Sequence, residues 1–199
     1  MFKGFQKISL IDFPGVIAST LFTGGCNFRC SWCHNLSLVD PLLIEKSPDI
    51  PEEYIKSYLL SRKDKIRGVC ISGGEPTLWL DKLRVFLKWC KSNSFLVKLD
   101  TNGYLPEKLE NLLKENLLDF VAMDIKNSFD KYPETVGLEP FDESRIKRSI
   151  EIIRKSGISH QFRTTAVPDL VNLKDIEEFS FHIKENIIIQ EYRSVENAF

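Results

Sequence analysis

Three cysteines fall within eight residues of this 199-residue chain, in the run Thr23-Gly24-Gly25-Cys26-Asn27-Phe28-Arg29-Cys30-Ser31-Trp32-Cys33-His34-Asn35. A [4Fe–4S] cube normally takes four thiolates, one per iron. Three closely spaced thiolates from one loop hold three irons and leave the fourth open, the same logic that separates catalytic from structural metal sites. Glycines ahead of Cys26 let the backbone curl around such a group without side-chain clashes. Two other chemistries use the same residues. A Cys3His zinc site would enlist His34, although adjacent Cys33 and His34 cannot easily bind one tetrahedral ion together. A redox Cys30–Cys33 pair would leave Cys26 unexplained. Cys70 sits in an apolar strand pattern and Cys90 on the apolar face of a helix pattern, where both read as small core residues.

Further polar residues follow later apolar runs. Ser72-Gly73-Gly74-Glu75-Pro76 reads either as an ordinary strand-to-helix turn or as a close-approach loop. In the second reading the paired glycines expose backbone to a small ligand and Glu75 offers a carboxylate to an ammonium group. Asp100 in Asp100-Thr101-Asn102-Gly103 and Asp124 in Met123-Asp124-Ile125-Lys126 interrupt or end apolar strands, which costs stability unless each carboxylate has a partner. Lys126 shares a strand face with Asp124 and could meet a ligand carboxylate; a plain Asp124–Lys126 salt bridge and an Asp100 turn cap are the bland alternatives. Arg163, in Arg163-Thr164-Thr165, could reach the same cleft or form a rim ion pair. His160 and His182 carry no signal above ordinary surface or core histidines.

The elements that must position these residues alternate along the chain. Val16–Phe22, Gly68–Ile71, Phe95–Asp100, Phe120–Ile125, Gln161–Val167 and Asn186–Tyr192 are short and rich in Val, Ile, Phe or Thr, and read as six strands. Between them, Leu83, Phe86, Leu87 and Cys90 share a helix face, as do Ile146, Ile150 and Ile153. Pro106 suits a helix first turn and Gly157 a helix end. Strand–helix–strand repetition predicts an α/β fold of parallel strands with right-handed crossovers, an open sheet or a partial (βα)6 TIM-type barrel. Ligands in such folds gather where the strands end, at the loops that carry the unusual residues here.

Composition narrows the classes. With 43% hydrophobic residues and no linker or repeat, one domain over 1–199 is expected. Twenty-seven basic residues against 28 acidic ones give a formal charge of −1, so no nucleic-acid or acidic-lipid partner is expected. Lys3, Lys7 and Asp12 interrupt any signal-peptide run, and Phe13–Phe28 is too polar and broken to span a membrane. Five cysteines, three of them clustered, do not read as a disulfide framework. A cytoplasmic protein with reduced thiols is the expectation.

The C-x3-C-x2-C spacing of Cys26, Cys30 and Cys33, with aromatic Trp32 before the last cysteine, resembles the radical SAM superfamily signature, and Gly73-Gly74-Glu75-Pro76 matches its second motif. GFQKISLIDFPG followed by TLFTGGCNFRCSWCHN resembles the activating enzymes of glycyl radical enzymes, in particular activases of the anaerobic ribonucleoside-triphosphate reductase. The similarity runs from about Gly4 to the IIIQEYR segment.

The resemblance implies a [4Fe–4S] cluster on Cys26, Cys30 and Cys33, with S-adenosyl-L-methionine as cofactor. Trp32, Cys33 and His34 would line that cofactor, and Gly73, Gly74 and Glu75 would meet its methionine amino group. Asp100, Asn102, Asp124 and Lys126 would contact it or a cation beside it, with Arg163 at the same cleft. It further implies a flavodoxin- or ferredoxin-type electron donor, reductive cleavage of S-adenosylmethionine, and hydrogen abstraction from a backbone glycine of a partner, anaerobic ribonucleotide reductase being the expected one. A radical SAM enzyme acting on a small molecule or another peptide, such as the 7-deazaguanine-forming branch, and a non-catalytic metal-binding module are the competing readings.

Overall fold

The computed structural model describes residues 1–193. Seven strands form one sheet in chain order: β1 Phe2–Ser9, β2 Ala18–Thr23, β3 Gly68–Gly73, β4 Leu96–Thr101, β5 Phe120–Asp124, β6 Ser159–Ala166 and β7 Ile187–Glu191. From β2 to β7 every neighbouring pair is parallel, with Ala18 opposite Gly68, Thr101 opposite Met123 and Asp124 opposite Arg163. These six are the strands read from the sequence, with ends displaced by one or two residues.

β1 is an addition to that reading. It pairs antiparallel with β2, and only its terminal Phe2 and Ser9 are buried. Its sequence FKGFQKIS therefore lacks the apolar run by which the other strands are recognised.

The helices are short near the cysteine loop and longer elsewhere. α1 Leu36–Val39, α2 Pro41–Lys46 and α3 Glu52–Ser61 lead to β3; α4 Leu80–Ser92 leads to β4 and α5 Pro106–Lys114 to β5. α6 Tyr132–Val136 and α7 Glu143–Ser156 precede β6, and α8 Leu173–Ile183 precedes β7. Pro106 occupies the first turn of α5, and Gly157 ends α7 at φ 74°. Leu83, Phe86, Leu87 and Cys90 of α4 and Ile146, Ile150 and Ile153 of α7 are all buried, as their spacing requires.

The two faces of the sheet are unlike. Outward, Leu21, Val69, Ile71, Val97, Leu99, Val121, Met123 and Phe162 meet the helices in one large apolar core. Inward, Phe13, Ala18, Phe120 and Ala122 make a small plug where the parallel strands begin, with the Phe13 and Phe120 rings 5.9 Å apart. Beyond the plug the inner face carries the charged residues Lys98, Asp100, Asp124 and Arg163. The sheet curls far enough for residues after β2 and on β7 to line one cavity at the strand carboxyl ends, while β1 and β7 stand at the two ends of the strand order. This is a partial barrel with parallel strands and an open side.

Candidate active site

The cysteine loop is built onto its neighbours by backbone. Gly74 N–H donates to Thr23 O at 2.9 Å and Glu75 N–H to Gly25 O at 2.7 Å, zipping the loop after β3 against the loop after β2. The approach is so close that a Cβ on Gly74 would stand 2.0 Å from Gly25 O. Gly73, at φ +113°, takes a conformation that side chains disfavour. Arg29 N–H donates to Val136 O at 2.7 Å, and Trp79 Nε1 to Gly24 O at 2.7 Å. Phe28, buried between Cys26 and Cys30, anchors the loop against Tyr104 and Tyr132, with ring centres 5.4 and 6.5 Å away.

This framework turns all three cysteines toward one cavity, lined also by Trp32, His34, Gly73, Gly74, Asp100, Asn102, Asp124, Lys126 and Arg163. All five cysteines are free, and Cys70 and Cys90 are buried. Burial pushes the Cys26 thiol up to about 12 and raises Cys30 as well, the Lys126 ammonium acting against that rise. Three thiols from one loop that open onto one shared cavity make a donor set that fits a metal cluster. No fourth cysteine lines the cavity. Three ligands from one loop fit a cube with an open iron.

The charged residues form one alternating chain across three strand ends. Lys98 Nζ donates to Asp100. Arg163 Nη1 lies 3.7 Å from Asp100, and its Nη2 and Nε bond Asp124 at 2.8 and 3.1 Å. Lys126 Nζ bonds Asp124 at 3.0 Å and stands 5.1 Å from the centre of the Trp32 ring. Burial alone would raise the Asp124 pKa, but Arg163 and Lys126 overcome it and hold the carboxyl far below the usual range. Three cations against two anions leave one positive charge unmatched, which suits a ligand carboxylate. The ion-pair alternatives for Asp124–Lys126 and Arg163 are therefore the arrangement observed, and the same residues line the cavity.

Glu75 departs from its expected place. Its carboxylate points away from the cavity into the protein, where it accepts from Thr77 N, Thr77 Oγ1, Thr101 Oγ1 and Asn102 N at 3.0, 2.6, 2.9 and 2.7 Å. Gly73 at positive φ and a bend at Gly74 lead into Glu75, which caps the 3-10 turn Pro76–Trp79 instead of facing a ligand. Burial raises its pKa despite those four donors.

His34 stacks on Tyr192 at 5.5 Å, and its Nε2 lies 2.5 Å from Arg193 O, joining the cysteine loop to the chain just past β7. Lys98, Thr165 and Gln190 were not singled out from the sequence. Lys98 alone carried a legible signal, a charge inside the apolar strand FLVKLD.

Residues 20–182 match the radical SAM superfamily. The chain belongs to that superfamily. It is therefore a radical SAM-type enzyme chain, of a superfamily whose cofactors are a [4Fe–4S] cluster and S-adenosylmethionine. It is 36% identical over 186 residues to a Methanocaldococcus jannaschii protein whose name assigns it to the glycyl-radical enzyme activating enzymes, covering 92% of this chain and 75% of that one. It is 30% identical over 177 residues to the pyruvate formate-lyase-activating enzyme of Clostridium pasteurianum, covering 85% and 70%. Among solved structures, TYW1 with a lysine-pyruvate adduct bound superposes with a TM-score of 0.64 at 17% identity, over 92% of this chain and 68% of that one. The AdoMet-bound anSMEcpe does so at 0.61 and 20%, over 86% and 50%. At these identities the two structures speak for the fold of this radical SAM chain. No described helix is long and apolar enough to cross a membrane.

Proposed function

We propose that this chain, as a single radical SAM domain over 1–199, is a cytoplasmic activase that installs a glycyl radical on a partner enzyme, anaerobic ribonucleotide reductase being the partner. The observation that carries this reading is similarity to two named activating enzymes across 92% and 85% of the chain, coinciding with convergence of the three cysteines and the strand-end charges on one cavity. A flavodoxin- or ferredoxin-type protein would supply the electron.

When bound, the iron–sulfur cluster and S-adenosylmethionine supply one-electron reductive cleavage of a carbon–sulfur bond and hence hydrogen-atom abstraction. The protein's share is positional. Cys26, Cys30 and Cys33 would hold three irons. Lys126 and Arg163, already fixed by Asp124, would receive the carboxylate of the cofactor's amino-acid end. Asp100 and the backbone around Gly73 and Gly74 would face its ammonium, and Trp32 offers an apolar wall whose buried Nε1 has no partner among the described residues. The open side between β1 and β7 leaves room for a glycine-bearing loop, and the closed apolar plug at the other end keeps water from entering there.

The test is to incubate the anaerobically reconstituted protein, a reductant and S-adenosylmethionine with candidate glycyl radical enzymes. A glycine-centred doublet in the electron paramagnetic resonance spectrum of the reductase is the expected result. Cofactor cleavage with no doublet on any such enzyme would overturn the assignment to activases.

A further inference from the structure

The sulfur of Cys26 has surroundings that the other two cysteines lack. Phe28 backbone N–H donates to it at 3.3 Å, and Asn102 Nδ2 lies 3.8 Å away. Among the described residues, no side-chain donor reaches the sulfur of Cys30 or Cys33. The direction of the Asn102 amide is fixed from both ends. Its Oδ1 accepts from Tyr104 N–H at 3.0 Å, and its Nδ2 also donates to Asn27 Oδ1 at 2.9 Å, so only the nitrogen can face Cys26.

Asn102 is itself held from beneath. Its backbone N–H donates to Glu75 Oε2, and Thr101 next to it donates to Glu75 Oε1. Glu75 is wholly buried, and its remaining bonds fasten it to Thr77. A carboxylate that never reaches the cavity thus locks the loop after β3 to the one residue after β4 that faces a cysteine sulfur.

We propose that Asn102 tunes the iron–sulfur centre by hydrogen bonding the Cys26 thiolate, and that Glu75 is the positioning residue that keeps it there; this rests on the cluster assignment above. Donors aimed at a ligating sulfur stabilise the more negative, reduced state and so raise the reduction potential. The step concerned forms and breaks no bond. An electron from an external low-potential donor would add negative charge at the sulfur, and the hydrogen bond from the Asn102 amide to that sulfur would strengthen.

The experiment compares wild type with Asn102→Ala and Asn102→Asp. Each is reconstituted anaerobically with iron and sulfide and titrated with dithionite and mediators, the reduced cluster being read by electron paramagnetic resonance without S-adenosylmethionine. Asn102→Asp keeps an oxygen for Tyr104 N–H while replacing the donor with a carboxylate, so the local turn survives. Loss of one hydrogen bond is expected to lower the reduced-to-oxidised ratio about three- to tenfold in Asn102→Ala, the upper end being a downward shift of about 59 mV for one electron. A larger fall is expected in Asn102→Asp. Potentials equal to or above wild type in both variants would overturn the inference. Failure of both to hold a cluster, with loss of secondary structure by circular dichroism, would overturn it too, since Asn102 would then be a fold residue. Neither result touches the functional reading, which instead fails if the wild-type protein binds no cluster.

Discussion

Strand β4 passes the same six residues between two different environments. Val97 and Leu99 face the helices and are wholly buried among apolar neighbours, whereas Lys98 and Asp100 face the barrel interior and join a line of alternating charges. The outer face is uniform and dispensable to chemistry; its contribution is burial, with large side chains making many weak contacts. The inner face is heterogeneous and expensive, since its two carboxylates are tolerated there only beside the cations that flank them. The fold is thus held by one surface of the sheet and works with the other.

Substitutions can break that contrast. The largest stability loss belongs to the outer face: Leu99→Ala should cost about 3 kcal/mol by removing a fully buried side chain, measured by urea unfolding, while leaving iron binding per folded chain unchanged. Asp124→Asn should cost less, about 2 kcal/mol, because the mouth of the cavity leaves that side chain 29% exposed although Arg163 and Lys126 lose their shared partner. Its cost should also depend on pH. The Asp124 carboxyl titrates below the unfolded value, so the stability it contributes is complete above about pH 4 and is lost as pH falls toward its folded pKa. The gap between wild type and Asp124→Asn should therefore narrow in acid; a gap that widens there would show that Asp124 is not the stabilised anion. Smallest is Lys98→Met, about 1 kcal/mol, since the line then holds two cations against two anions, Asp100 keeps Arg163 at 3.7 Å and the methionine fills the space. A loss from Lys98→Met exceeding that from Leu99→Ala would invert the assignment of roles to the two faces.

The same contrast explains what could be read in advance. Periodicity reports apolar burial, so the six parallel strands and the faces of α4 and α7 were legible, and the rule that ligands gather at strand carboxyl ends located the cavity. β1 was not, because a strand buried only at Phe2 and Ser9 leaves no apolar run. Residue type revealed the cysteines and the interrupting aspartates, but side-chain direction depends on backbone turns. Glu75 was expected at the ligand; Gly73 and Gly74 turn it inward to organise Thr101 and Asn102 instead. Pairing across strands was equally hidden: nothing local in FRTTA says that Arg163 lies opposite Asp124.

The central claim is that Cys26, Cys30 and Cys33 together hold an open-sited cluster that acts on S-adenosylmethionine. Anaerobic reconstitution of the chain and of a variant with all three replaced by serine, followed by reduction with S-adenosylmethionine present, tests it directly. Brown, iron-loaded wild type that forms 5′-deoxyadenosine, beside a folded but colourless and inactive variant, is the predicted result. Wild-type protein that takes up no iron, or purifies with one zinc per chain and leaves the cofactor intact, would contradict it.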